Sequence, residues 1–310
     1  MNKFFLSLAT VLMLTASCKD DKATAKTDNR GTIGVEQPGG TVQVPQNPER
    51  VVVLHYGIAD TMAELGIPIA GLPKSTLPAY LAGLPESAQW QDIGNIMTPN
   101  LEKINELDPE LIIISGRQAK LANDLNKLAA TVNLDVDASN YMESFKKNQR
   151  AIGEIFGKEA EVEKELTDID ARIEEIRKKA AASGKKALIV LANEGKLSAY
   201  GKGSRFGIVH DVFGMSAADE GIEVSTHGQV VSNEYIKEKN PDYLFVIDRG
   251  GAINREALSK EKFANDLIKA TDAYKNDRIV FLSPDIWYLS GGGLKSIKLM
   301  LSEMETALNR

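Results

Sequence analysis

The chain has 310 residues, of which 43% are hydrophobic, 26% charged and 6% aromatic, with 37 basic against 43 acidic side chains and a formal charge of −6. This is a globular composition sized for one large or two ordinary domains, and without a basic excess it excludes the phosphate neutralisation on which nucleic-acid binding depends. A single cysteine, Cys18, excludes disulfide frameworks and every multi-cysteine zinc or iron–sulfur site.

Residues 1–17 start with the positive Lys3, continue as an apolar run from Phe4 to Leu14, and narrow to Thr15, Ala16 and Ser17 before Cys18. The run is too short for a stable membrane span, which needs about 20 residues, and it resembles a bacterial lipoprotein signal peptide cleaved ahead of an acylated Cys18. Residues 18–40 are polar, small and without apolar period, so they read as a lipidated cysteine followed by a flexible tether.

Beyond the tether, short β-branched runs alternate with amphipathic stretches, which predicts an α/β fold with mostly parallel sheets. Residues 41–157 form the first lobe, with strands at Val51 to Leu54 and Leu111 to Ile114 and helices at Asp60 to Leu65, Leu101 to Leu107 and Ser144 to Phe156. Residues 158–183 run without Gly or Pro. Their apolar side chains Val162, Leu166, Ile169, Ile173 and Ile176 recur at spacings of three and four, which predicts one long amphipathic helix spanning both lobes. A coiled-coil dimerisation helix is the alternative, but the stripe lacks clean a/d alternation. Residues 184–310 form the second lobe, with strands at Ala187 to Leu191, Leu197 to Tyr200, Tyr243 to Ile247 and Ile279 to Leu282, and helices at Ser232 to Lys239 and Leu294 to Leu308.

No metalloprotease, nucleophile-elbow or Walker motif is present, and the glycine spacing of Gly201 to Gly207 does not match a phosphate loop. Polar residues instead follow the strand ends, where open α/β sheets bind ligands. Arg117, Arg205 and Arg249 each stand just past a strand, and three guanidiniums meeting in one cleft would hold a compact, multiply charged anion. His227, in the small-residue loop Ser225 to Gln229, and Tyr288, in Ile286 to Gly293, add an imidazole and a phenol that suit a hard trivalent iron. Two such ligands leave four octahedral positions for a chelator with four oxygens, for example two catecholates.

At these residues the chain resembles the substrate-binding lipoproteins for ferric catecholate siderophores, of the petrobactin-binding type, among the class III periplasmic binding proteins. The likeness runs from about Val42 to the C-terminus. It is carried by Leu111 to Gln118, Tyr141 to Phe145, Ser204 to Gly207 with His210 to Gly214, Ser225 to Gln229, Asn240 to Gly250 and Trp287 to Gly293. It implies two lobes joined by a spanning helix, cleft binding of an iron(III) catecholate through Arg117, Arg205 and Arg249, and iron ligation by His227 and Tyr288 when the siderophore is tetradentate. It also implies docking to an ABC transporter permease through Glu64 and Glu234, no intrinsic cofactor, no catalysis, a monomer, and a cell-envelope location through lipidated Cys18. Three other readings compete with it. They are a haem or cobalamin carrier of the same fold, a zinc or manganese carrier using His55 and His227, and a siderophore-processing hydrolase, for which no nucleophile–base pair is evident.

Overall fold

The computed structural model describes residues 31–83, 90–254 and 257–310. The expected signal segment, Cys18 and the tether up to Arg30 lie outside the described residues. From Thr32 onward the expected tether is a correction: β1 (Thr32–Gln37) and β2 (Gly40–Pro45) pair as an antiparallel hairpin. Val35 and Val44 are both buried, so a few alternating apolar residues suffice to seat the hairpin among polar neighbours.

The first lobe is a five-stranded parallel sheet made of β3 (Val51–Val53), β4 (Gly71–Leu72), β5 (Gln91–Asp92), β6 (Leu111–Ile114) and β7 (Ala130–Asn133). Its order is β5-β4-β3-β6-β7, so successive crossovers run outward in opposite directions from β3 and β6. That reversal opens a crevice beyond the carboxyl ends of β3 and β6, where α/β sheets bind ligands. Both strands are buried along their whole length, as their unbroken Val and Ile runs require of strands covered on two faces.

The second lobe is built on β8 (Lys186–Asn193), β9 (Lys196–Tyr200), β10 (Ser216–Ala217), β11 (Gln229–Val231), β12 (Tyr243–Asp248) and β13 (Ile279–Leu282). Its main path is β11-β9-β8-β12-β13. β8, β12 and β13 are parallel, whereas β9 returns antiparallel from β8 and β11 pairs antiparallel with β9, so this sheet is mixed. The reversal is local in origin: Glu194 and Gly195 both adopt positive φ, at 51° and 79°, which a two-residue hairpin turn demands.

Between the lobes, the helix Glu159–Ser183 spans 25 residues, about 37 Å at 1.5 Å per residue. It buries the expected stripe Val162, Leu166, Ile169, Ile173 and Ile176, and Ala180 as well. Each fully buried aliphatic side chain contributes about 1.5–3 kcal/mol over leaving it in water. The helix packs against Tyr141–Phe156 on one side and the C-terminal helix Leu294–Leu308 on the other.

The C-terminal helix also packs on the first-lobe helix Tyr56–Glu64, making a second connection between the lobes. Its unpaired N-terminal N–H groups are satisfied across the junction. Asp60 accepts from the backbone of Lys295 and Ser296, both at 3.0 Å, and from the Tyr80 hydroxyl at 2.9 Å. Thr61 Oγ1 accepts from Leu294 N at 3.0 Å and donates to Gln149, whose amide donates to the Gly292 carbonyl at 2.9 Å. Backbones meet so closely here that a Cβ on Gly57 would lie 2.0 Å from the Gly291 carbonyl oxygen. Among the described residues no helix is long and apolar enough to cross a membrane.

Candidate functional site

A cavity of about 440 Å³, within the range of small-molecule sites, is lined by residues of both lobes. The first lobe supplies His55, Ser115, Arg117, Asp135 and Tyr141; the second supplies Arg205, Phe206, Ser225, Thr226, Trp287 and Ser290.

Arg117 follows β6 through a Ser115 capping box that turns the chain sharply after the strand. Its Nη2 donates to the Tyr288 carbonyl at 2.7 Å and its Nη1 to the Leu289 carbonyl at 3.1 Å, bridging the lobes. Arg205 follows β9 and donates through Nη2 to the same Tyr288 carbonyl at 2.6 Å. Its guanidinium carbon stands 4.3 Å from the centre of the Tyr288 ring and 5.1 Å from that of Phe206, in cation–π contact with both. Arg249 follows β12 and donates through Nε to the Tyr288 hydroxyl at 2.9 Å and through Nη1 to Asn193 at 3.1 Å. The three arginines therefore converge on one residue. Tyr288 and Leu289 close a five-residue π-helical turn, Asp285–Leu289, and their carbonyls are the unsatisfied acceptors such a turn leaves exposed.

Tyr288 is half-buried. Burial alone would push its phenol upward, but the Arg249 hydrogen bond and the charges of Arg205 and Arg249 outweigh it, so the phenol lies below its ordinary value. Arg117 is itself lowered, first by burial and then by the neighbouring Arg205 charge, as expected of like charges held together.

Arg117 and Arg205 line the cavity directly, and Arg249 and Tyr288 are joined to them through the contacts above. His227 is exposed on the loop whose neighbours Ser225 and Thr226 line the cavity. Gly228 pins that loop: at φ 72° it lies against Tyr200, whose ring a Cβ there would meet at 2.7 Å. Among the described residues no hydrogen bond joins His227 to the other four. Glu234 is exposed in the first turn of the helix Asn233–Lys239, whereas Glu64 accepts from Lys298 Nζ at 2.7 Å, a lysine that also reaches Glu165 at 3.1 Å.

His55 does not suit the zinc or manganese reading. Its Nδ1 accepts from Gly57 N at 3.1 Å and Ile58 N at 3.4 Å, capping the helix Tyr56–Glu64 and fixing the proton on Nε2. Among the described residues no three or more His, Cys, Asp or Glu side chains gather as such a site needs. Sequence reasoning gave no role to Asp60, Gln149 and Tyr141, which join residues 292–296 to the first lobe: Gln149 and Tyr141 bond Gly292, Tyr141 accepting from its N at 3.1 Å, and Asp60 accepts from Lys295 N and Ser296 N. Asp60 and Gln149 were marked only by polar character inside apolar helical stretches, and Tyr141 only by its place in a stretch that carries the family likeness.

The periplasmic binding protein family matches residues 51–286, more than half of the chain. Petrobactin-binding protein YclQ of Bacillus subtilis is 42% identical over 318 aligned residues, covering 100% of both chains. Its crystal structure matches with a TM-score of 0.88 at 45% identity, over 91% of this chain and 100% of that one. Ferric-anguibactin-binding protein FatB of Vibrio anguillarum is 34% identical over 88% of this chain and 86% of its own. The catecholate-siderophore binding protein VctP of Vibrio cholerae matches in structure with a TM-score of 0.82 at 32% identity, over 89% of this chain and 99% of that one.

Proposed function

We propose, from the premise that this chain belongs to the periplasmic binding protein family, that it carries a ferric catecholate siderophore in the interlobe cleft and delivers it to the permease of an ABC importer. The observation that carries this reading is the convergence of Arg117, Arg205 and Arg249 on Tyr288 at the wall of a cavity of about 440 Å³. Iron(III) held by catecholates is a compact anion, and guanidiniums keep their charge at any physiological pH. A phenol already lowered by two arginines gives up its proton to a hard trivalent ion at small cost.

In this reading Tyr288 and His227 fill the two positions that a tetradentate chelator leaves on the metal, and the arginines balance the negative charge of the complex. A hexadentate chelator needs neither ligand and is held by charge alone. Glu64 and Glu234 serve as acidic contacts for the permease, and acylated Cys18 anchors the body to a bacterial membrane. The similarity to petrobactin-, anguibactin- and catecholate-binding relatives supports the ligand class.

Quenching of Trp287 and Trp90 fluorescence by a panel of ferric siderophores, haem and bare divalent metals tests the reading. Saturable quenching by ferric catecholates, with a broad catecholate-to-iron absorption band, is expected. Binding of haem with a sharp Soret band, or of divalent metal without any chelator, would overturn it.

A further inference from the structure

The cleft wall of the first lobe holds an imidazole that the reading above leaves unused. His55 stands two residues past β3, at the point where the strand order reverses, and so beside the loop that carries Arg117 after β6. It lines the cavity although only 6% exposed. Its Cε1 lies against Gly292, another cavity residue, where an added Cβ would approach it at 3.8 Å.

Two hydrogen bonds decide what this ring can offer. With Nδ1 accepting from Gly57 N and Ile58 N, the other tautomer would set an N–H against two N–H donors, so the proton stays on Nε2. The ring is also held neutral: burial lowers it to about 4, Asp135 opposing and Arg117 adding to the shift. His55, a residue of the cavity wall, therefore carries a fixed, uncharged Nε2–H donor, and its Nε2 has no lone pair for a metal. Arg117, its cationic neighbour, has Nη1 and Nη2 committed to the Leu289 and Tyr288 carbonyls.

We propose that His55 is a ligand-contacting residue of this cleft, donating through Nε2–H from the first lobe to an anionic oxygen of the ferric chelate that Arg205 holds from the second. The inference rests on the ferric-catecholate reading and adds to it a directional contact on the lobe opposite the iron-ligating side chains. A donor fixed in this way favours a ligand with an acceptor oxygen at that point and disfavours one that places an ammonium or amide N–H there.

The test separates this contact from the capping role of the same ring. Asparagine is a strong helix N-cap whose short amide replaces the Nδ1 contacts without extending into the cavity. At about pH 8, where the imidazole is neutral in the folded and the unfolded chain alike, His55→Asn is expected to keep the melting temperature of the wild-type chain while weakening a ferric bis-catecholate about tenfold, the loss of one hydrogen bond to a charged acceptor. Wild-type affinity in this variant would overturn the contact and leave the ferric-catecholate reading standing, whereas no binding by the wild-type chain itself would overturn that reading. Should His55→Asn fail to fold, imidazole ¹⁵N–¹H spectra of the wild-type chain with the gallium(III) complex give the same decision. A downfield Nε2 proton protected from exchange on binding is expected; an unchanged His55 resonance would sink the proposal.

Discussion

Arg249 donates through Nε to the hydroxyl of Tyr288 at 2.9 Å, tying the residue after β12 to the turn Asp285–Leu289 beyond β13. The phenol is thereby oriented and lowered by an adjacent cation, the state in which it can pass from hydrogen-bond acceptor to iron ligand. Tyr288→Phe and His227→Ala should each weaken a ferric tetradentate catecholate by at least about 10- to 100-fold, the scale for losing even a partner of a metal ligand. A hexadentate complex, already saturated, should change much less. Paired titrations of both complexes check this, and equal losses would remove iron ligation from the account.

Arg205 meets both the carbonyl and the ring of Tyr288, and Arg249 its hydroxyl, so the two guanidiniums form one charged wall. Replacing both by Gln should weaken every anionic ferric complex, tetradentate or hexadentate, by about 100-fold, from two charge-assisted contacts of about 1.5–3 kcal/mol each that are partly replaced by solvent. The salt dependence of binding should flatten as well. Titrations that match the wild-type chain at both low and high salt would exclude a role for these charges.

Much of this architecture is legible before any coordinates. The stripe Val162, Leu166, Ile169, Ile173 and Ile176 announces the spanning helix because a 25-residue element must bury one face, and the buried runs at β3, β6, β8 and β12 announce parallel strands. Arg117 and Arg249 stand past the ends of parallel strands, whereas Arg205 leaves β9, which runs antiparallel to β8, and so departs from the other side of its sheet. What escapes is whatever depends on backbone meeting backbone. The helix expected to begin at Asp60 begins at Tyr56, because His55, an unusual cap, starts it a full turn earlier. The helix expected from Ser144 begins at Tyr141, whose hydroxyl is held by Gly292, about 150 positions away in the chain. The convergence of all three arginines on one tyrosine depends on two carbonyls at the end of a π-helical turn, and no spacing rule announces that.

The junction of lobes should be intolerant of any side chain at Gly57. A Cβ there would lie 2.0 Å from the Gly291 carbonyl and 3.0 Å from Gly293 N, both backbone atoms that cannot rotate aside. Gly57→Ala should therefore cost about 1–3 kcal/mol or more, the range for overpacking a close-packed interior. It should also disturb the Gly291–Gly293 segment that leads from Tyr288. Urea unfolding measures the first effect and titration of a ferric catecholate the second; a variant as stable as the wild-type chain would show that this junction yields easily.

Two buried groups on the helix Tyr56–Glu64 and its cap make opposite demands on pH. Burial raises the Asp60 carboxyl to about 6 against the hydrogen bonds from Ser296, Tyr80 and Lys295. Its folded value thus exceeds its unfolded one, and the stability it contributes is complete below about pH 4 and is lost as pH rises through about 6. Burial lowers His55 to about 4, so its contribution is complete above about pH 6.5 and is lost as pH falls through about 4. Across that shared window the two slopes oppose, each on the order of 3 kcal/mol, and the wild-type chain should show little net change from this pair. Asp60→Asn leaves the histidine alone, and stability should then fall on acidification from about pH 6.5 to about pH 4.5 relative to the wild-type chain. His55→Asn leaves the carboxyl alone, and stability should rise over the same interval. Urea unfolding of the three proteins across this range decides the matter, because parallel pH profiles for all three would mean that neither buried group titrates as its surroundings dictate.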